Sequence, residues 1–358
     1  MKPPLQGIRI VEFEGLGPGP LAGRMLADMG AEVTVIARRQ TGAVAERLGG
    51  GKASPLRRGK TIVPLDLKQP ADLADALERV AGADGLIEGN RPGVMERLGL
   101  GPADCAARNP RLVYGRMTGW GQSGPLAQTA GHDLNYVALT GMLSLSAHAQ
   151  QAPIIPPTVL GDAAGAMGLA FGMVCAMLDA RASGRGRVVD GAIVDVVAML
   201  GSIALWVRNN GQLDGPTPSP FHQSPFYDVY ACADGGFVTI GALEPQFYAL
   251  LLQKLGLADV DPAAQYDHSL WPALEARFTG LFLSQPRAYW DALLGGTDTC
   301  YAPVLSIAEA AQHPHNVARG IFASLEDGAL GGTLGGAFDV AGAPRFAPLV
   351  GEGEGGGA

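Results

Sequence analysis

Two kinds of hydrophobic spacing alternate along the first 120 positions or so. Ile8-Arg9-Ile10-Val11-Glu12-Phe13 is a short extended run, Gly15-Leu16-Gly17-Pro18-Gly19-Pro20 is a tight turn, and Leu21 to Met29 continues at helical spacing. Ala31 to Ile36 is the next strand and closes a βαβ unit of about thirty residues. The pattern then repeats. Thr61 to Leu67 is extended, Ala71 to Ala81 helical, and both Gly85-Leu86-Ile87 and Leu112-Val113-Tyr114-Gly115-Arg116 extended. Such alternation predicts an α/β fold with a large, Rossmann-like parallel sheet covered by helices on both faces.

From Asp162 the spacing changes. Asp162 is a good N-cap for a helix running to about Ala182, and Ser183-Gly184-Arg185-Gly186-Arg187 breaks it. Its apolar run, Ala163 to Leu178, is sixteen residues between Asp162 and Asp179. That is short for a membrane span, so the expectation is a buried helix and no membrane. Val188-Val189 is a brief strand and Ile193 to Asn209 a helix; Asn210-Gly211 and the Pro-rich 216–225 then mark a connector. Phe226 to Ala231 and Gly236 to Ile240 flank Ala233-Asp234-Gly235, a hairpin signal. Helices follow near Pro245 to Leu255, Leu270 to Leu283 and Arg287 to Leu294.

The expected organisation is a large α/β domain over 1–190, completed by 306–345, a helical linker over 191–225, a small α+β domain over 226–305 and a disordered tail over 346–358. Ser306 and Glu309 have capping-box spacing, so Ile307 to Gln312 reads as a helix returning to the large domain.

Composition narrows the class. Apolar residues make up 47% of 358 positions and charged residues 17%, with a net charge of -8. This fits a compact enzyme and argues against a phosphate-backbone partner such as nucleic acid. Cys105, Cys175, Cys232 and Cys300 lie far apart without a C-x-x-C pair, which reads as reduced thiols in a cytoplasmic protein. His313 and His315 lack matching ligands, so no metal site is expected. The turn at 15–20 is no dinucleotide fingerprint, because Pro20 stands at its third glycine position and Pro18 and Pro20 have no N–H to offer a pyrophosphate.

The candidate chemistry lies elsewhere. Between Arg38 and Lys68 stand eight basic residues, Arg38, Arg39, Arg47, Lys52, Arg57, Arg58, Lys60 and Lys68, against only Glu46 and Asp66. They suit either a solvated, salt-bridged surface or a phosphorylated small molecule. Arg91 follows the end of another strand, where α/β sheets place ligand groups. His132, one of six histidines, sits in the polar loop Gly131-His132-Asp133-Leu134-Asn135-Tyr136, whereas the others lack such a setting. Asp162 follows Gly161 and opens the long apolar run. A histidine and a carboxylate facing across a pocket can remove a proton from one side of a carbon acid and return it on the other. A helix dipole favours ionised Asp162, so a donor role requires a dry pocket or a nearby enolate. Glu244, before Pro245, is either a helix-start charge or a carboxylate that orients His132.

At these residues the chain resembles the α-methylacyl-CoA racemases of the class III CoA-transferase superfamily. The matching segments are GHDLNY (131–136), GD (161–162), GALEPQFY (241–248), RMTGWGQSGP (116–125), RPGVMERLGLGP (91–102) and LDLK (65–68), in order from near Pro4 to near Arg345. The resemblance implies an interlocked homodimer and an acyl-CoA substrate. It implies racemisation or epimerisation of 2-methylacyl-CoA through an enolate, with no cofactor. It places catalysis on His132 and Asp162, with Glu244 of the partner chain supporting the histidine, and enolate donors at the helix starting with Asp162. It places CoA contacts on Arg38, on Leu65, Asp66, Leu67 and Lys68, on Arg91, and on Gly131, Asp133, Leu134, Asn135 and Tyr136. Where the family carries an aromatic and glycines after Gly161-Asp162, this chain has Ala163-Ala164-Gly165-Ala166, which predicts a wider acyl pocket. The alternative on this fold is a CoA-transferase using Asp162 as an acyl-carrying nucleophile. Relatives of that type generally carry an aromatic where His132 stands, and a non-enzymatic CoA-binding protein would have no need of the pair.

Overall fold

The structure, a computed structural model, describes residues 2–40, 54–146, 152–155, 159–213, 219–221, 223–324, 338–340, 342 and 344–346. The chain forms two compact units. The first comprises Met1–Ser146, Pro153–Leu200 and Phe322–Ala358, and the second Ala147–Ala152 and Gly201–Ile321. The tail from Gly351 to Ala358 lies outside the described residues.

In the first unit, β1 (Arg9–Phe13), α1 (Pro18–Asp28) and β2 (Glu32–Ala37) form the expected βαβ unit. They are followed by β3 (Lys60–Pro64), α2 (Pro70–Ala81), β4 (Gly85–Glu88), α3 (Val94–Arg97), α4 (Pro102–Arg108) and β5 (Val113–Thr118). Next come α5 (Asp133–Leu139), α6 (Ala164–Ser183), β6 (Val188–Ala192) and α7 (Ile193–Leu200). The six strands make one parallel sheet in the order β3-β2-β1-β4-β5-β6. Strand order reverses between β1 and β4, where the carboxyl ends of an open parallel sheet leave a crevice. Neighbouring residues point to opposite faces, so the sheet builds two cores. Ile10, Ile87 and Val113 pack with Ala22 and Leu26 of α1 and with Leu169 and Met173 of α6. Val11, Leu86 and Tyr114 pack with Leu77 and Val80 of α2 and Cys105 of α4.

Two helix starts differ from the sequence expectation. α1 begins at Pro18 rather than Leu21, because a proline in the first turn needs no N–H partner and has its φ already set. Asp162 is not an N-cap. A single π turn, Val159–Ala163, precedes α6 and carries Asp162 within it. Nor is α6 buried all round. Ala166, Leu169 and Met173 face the core, while Met167, Phe171, Cys175 and Leu178 form an exposed stripe at three- to four-residue spacing. The segment Leu160–Ser183 is long and apolar enough to cross a membrane by length and composition, with half of it buried in the fold. The small residues after Asp162 serve packing. A Cβ on Gly165 would lie 2.7 Å from Ile193 and one on Gly168 2.4 Å from Val196, and Ala164 and Ala166 are buried.

The second unit starts with α8 (Ser202–Asn209), cut from α7 at Gly201. The hairpin β7 (Tyr227–Ala231) and β8 (Phe237–Gly241) turns at Gly235, whose φ is 79°. α9 (Pro245–Lys254), α10 (Trp271–Leu283) and α11 (Arg287–Leu294) lead to β9 (Tyr301–Val304), which pairs antiparallel with β8. Phe226, Tyr230, Trp271, Phe278, Phe282 and Trp290 form its core. α12 (Ile307–Gln312) has the expected box, with the Ser306 N–H donating to Glu309 Oε2 at 2.8 Å, but it and α13 (Pro314–Ala318) group with this unit rather than returning to the first. β10 (Phe322–Ser324) and β11 (Phe338–Val340) belong to the first unit, where buried Asp339 pairs with Arg24 at 2.7 Å.

Under the turn that starts α1 lies a buried ion pair. Lys60 Nζ is 2.6 Å from Glu12 Oε2 and donates to the Pro20 carbonyl at 2.7 Å, with the two side chains 0% and 2% exposed. Burial raises the Glu12 carboxyl and lowers the Lys60 ammonium, and each partner's charge works against that shift. A buried charge that loses its partner costs about 3–5 kcal/mol, whereas an apolar replacement of both is near neutral. Lys60→Met is therefore expected to lower unfolding stability at pH 8 by about 3 kcal/mol, and Glu12→Gln/Lys60→Met by much less, as read from urea titrations. Equal losses in the two proteins would show that the pairing is not what fixes this corner.

Candidate functional site

The carboxyl ends of the strands carry most of the residues singled out by sequence. Much of the basic cluster is already occupied. Arg39 pairs with Asp72 at 2.7 Å, Arg57 with Glu14, Arg58 with Asp339 and with Asp28 at 3.2 Å, and Lys60 with Glu12. Arg47 and Lys52 lie outside the described residues. Arg38 and Lys68 are exposed, and neither side chain has a partner among the described residues; the same holds for Arg91. These three cations follow β2, β3 and β4, along the edge where ligands of such sheets bind.

Backbone contacts fix the loops that carry them. The Arg38 N–H donates to Glu14 Oε2 at 2.9 Å. In the 65–68 turn Leu65 is buried and donates its N–H to the Ala37 carbonyl at 2.9 Å. The Asp66 N–H donates to Asp72 Oδ2 at 2.6 Å, and Asp66 Oδ1 accepts the Lys68 N–H at 3.1 Å, so the Asp66 side chain shapes the turn. Leu67 is half-buried. Sequence reasoning missed the support of Arg91. Buried Glu88 accepts the Asn90 N–H at 2.6 Å and Arg116 Nε at 3.0 Å, and Arg116 reaches Glu96 at 2.8 Å. Glu88 and Arg116 are register partners on β4 and β5, a relation no local spacing reveals.

His132 is the exposed N-cap of α5, and its N–H donates to Asn135 Oδ1 at 3.0 Å. The loop before it is clamped. Tyr136 donates its hydroxyl to the Gly131 carbonyl and meets Trp120 edge-on with ring centroids 4.7 Å apart. Only a glycine fits at 119, where a Cβ would lie 1.9 Å from Tyr136 Cζ. Leu134 is half-buried. Asp133 is buried, and its Oδ2 accepts the Asp162 N–H at 2.6 Å. The two segments press together so closely that a Cβ on Gly161 would lie 2.4 Å from the same Oδ2.

The Asp162 side chain lies over the first turn of the sheet, where a Cβ on Gly17 would come within 2.9 Å of its Oδ2. Burial pushes its carboxyl up to about 6, the Asp133 charge adds to the rise, and His132 opposes it. Tyr136 is raised by burial and by Asp162, with Arg91 acting the other way. His132, Asp133, Tyr136, Asp162 and Arg91 therefore belong to one electrostatic neighbourhood of the first unit. Asp162 itself is half-buried. Its own amide, bonded to Asp133, is not available to an oxyanion. Among the described residues the amides of Asp133 and Leu134, at the start of α5, carry no acceptor. Leu16 and Leu160, beside Gly17 and Asp162 in sequence, are exposed.

Glu244 belongs to the second unit, as the exposed N-cap of α9 with no side-chain capping bond. Its carbonyl accepts the Phe247 and Tyr248 amides at 3.0 Å, and its charge acts on Cys300 and Tyr266. Among the described residues no cluster of His, Cys, Asp and Glu is able to hold a metal ion.

Known proteins share this chain's sequence and fold. The alpha-methylacyl-CoA racemases of Mus musculus and Homo sapiens are 39% and 40% identical to it over 97% of this chain and 86% of theirs. The acetyl-CoA:oxalate CoA-transferase of Acetobacter aceti is 29% identical over 89% of this chain and 85% of its own. The crystal structure of Rv3272 from Mycobacterium tuberculosis superposes with a TM-score of 0.78 at 28% identity, covering 96% of this chain and 93% of that one. A CAIB/BAIF family protein from Brucella suis, at 22% identity, has the same fold with a TM-score of 0.79 over 97% of this chain and 93% of its own. The profile of CoA-transferase family III matches residues 5–350, and the chain belongs to that family.

Proposed function

We propose that the protein racemises or epimerises 2-methylacyl-CoA thioesters by 1,1-proton transfer. The observation that carries this reading is the placement of Asp162, half-buried with a raised carboxyl, in the same neighbourhood as His132. The names of the 39–40% identical relatives point the same way. In one direction the neutral His132 imidazole takes the α-proton. The C–H electron pair moves into the thioester carbonyl to give an enolate, and protonated Asp162 returns a proton to the opposite face. In the other direction ionised Asp162 is the base and protonated His132 the acid. Both directions require one proton on the pair, and no electron leaves the substrate, so the reaction needs no cofactor. The open amides of Asp133 and Leu134 are suited to the enolate oxygen. Arg38, Lys68 and Arg91 are the cations available for CoA phosphates. The family resemblance alone assigns Glu244 the support of His132.

The same reading implies a homodimer. The exposed stripe of Met167, Phe171, Cys175 and Leu178 on α6 is an apolar face that a second copy of the chain would cover. Sedimentation is expected to show a dimer for the native chain and a monomer for Phe171→Glu. A dimer in both would place the interface elsewhere.

In deuterated water, one enantiomer of a 2-methylacyl-CoA is expected to gain an α-deuteron and lose its stereochemical purity. His132→Ala and Asp162→Ala should each abolish this while still binding CoA. Transfer of CoA to a free carboxylic acid without label uptake would replace the proposal with the transferase reading, in which Asp162 Oδ attacks the thioester and CoA thiolate leaves. Because burial pushes the Asp162 carboxyl up to about 6, the rate should fall as pH drops through that value and Asp162 is lost as a base. A rate that is flat down to pH 4.5 would contradict this.

Arg91→Ala should raise KM for the thioester by about 10- to 100-fold with kcat little changed, the loss expected for one charge-assisted phosphate contact. An unchanged KM would remove Arg91 from the CoA site.

A further inference from the structure

We propose that the Asp133 carboxylate is the positioning residue of this site. Through its bond to the Asp162 amide it holds the acid on the π turn at a fixed place relative to the imidazole on the adjacent residue. The inference rests on the reading of His132 and Asp162 as the proton-transfer pair, but is separable from it in the test below.

Three observations support it. Asp133 follows His132 in the chain, so its Cα lies about 3.8 Å from that of the histidine. Its Oδ2 is 2.6 Å from the Asp162 nitrogen, so a single residue and a single hydrogen bond bridge segments 29 positions apart. Lastly, the contact leaves no slack. A Cβ at 161 would lie 2.4 Å from Oδ2 and 2.6 Å from Cγ of Asp133, so residue 161 has to be glycine for the carboxylate to reach the amide. Asp133 is itself in the first turn of α5, which the His132–Asn135 bond and the Tyr136–Gly131 bond anchor at the same end.

A neutral acceptor would satisfy the amide equally well. The carboxylate also puts a negative charge beside a second, half-buried carboxyl, which favours the protonated form of Asp162. Few other charges face it. On α5 these are Asp133 and His132, with the neutral Tyr136 phenol alongside. α1 presents Gly17, and its Arg24 and Asp28 bond to each other at 3.5 Å. α7 carries only the exposed Asp195, and on α6 Asp179 is paired with Arg187 at 2.6 Å. Among the described residues Asp133 is the negative group that adds to the effect of burial on Asp162, and its bond to the Asp162 amide places the acid. A merely structural acid in a helix's first turn would affect stability and leave the ionisation of Asp162 unchanged.

Asp133→Asn separates the two roles, because its amide oxygen still accepts the Asp162 N–H while the charge is gone. Asp162 is followed in the full-length protein by carboxyl carbon-13 NMR of aspartate-labelled samples, with its resonance identified by loss in Asp162→Asn. The native midpoint is expected near 6 and that of Asp133→Asn about one pH unit lower. The acid limb of α-proton exchange should move down with it. Asp133→Ala loses the anchor as well, and kcat should fall about 100-fold. A kcat of Asp133→Ala within about threefold of the native value overturns the positioning role, and an Asp162 midpoint in Asp133→Asn equal to the native one overturns the role of the charge. Should that variant fail to fold, Gly161→Ala, which displaces the carboxylate from the amide, is decided by the same titration. If the native protein exchanges no α-proton at all, the racemase reading fails, yet the titration still decides the role of Asp133.

Discussion

One hydrogen bond, from the Asp162 amide to the Asp133 carboxylate, joins the two segments that carry His132 and Asp162. Everything around it favours that closeness. Gly161 removes the side chain that would intrude, Gly17 lets the Asp162 carboxyl settle over the first turn of the sheet, and Tyr136 with Gly119 pins the loop in front of His132. The result is a carboxyl held in a poorly hydrated place with another carboxylate near it, which is what raises its proton affinity toward the working range of an acid–base catalyst.

The chain is sparing with charge, and the first unit uses much of it to fix loops rather than to bind. Glu12 and Lys60 hold the turn at the start of α1, Glu88 and Arg116 hold the loop that presents Arg91, and Glu14 and Asp72 hold the neighbouring turns. Arg38, Lys68 and Arg91 remain exposed and without partners among the described residues, one beyond each of three adjacent or near-adjacent strands. Strand order reverses between β1 and β4, and Gly17, which follows β1, has the Asp162 carboxyl close to it.

The sheet was legible in the sequence because both of its faces are buried and its strands read as short β-branched runs separated by helical spacing. His132 and Asp162 were legible as residue types in unusual settings. The immediate surroundings of Asp162 were not, since an acid after glycine before an apolar run looks like an N-cap, and nothing local reveals that the helix is entered through a π turn. The basic cluster was visible as a count, but which of its members remain available depends on acids far away in sequence, such as Asp339 for Arg58. The support of Arg91 by Glu88 and Arg116 depends on strand register. The exposed stripe of α6 was hidden by the small apolar residues on its buried face, which give the whole segment the look of a core helix.

The proposed reaction requires His132 and Asp162 to stand on opposite sides of one acidic C–H. The test is a crystal structure of the protein with a 2-methylalkyl-CoA thioether, which lacks the carbonyl and so cannot enolise. The carbon that corresponds to the substrate's α-carbon is expected within about 3.5 Å of an imidazole nitrogen on one face and of an Asp162 carboxyl oxygen on the other. Such a carbon touching only one of them, or neither, would contradict the proposed reaction.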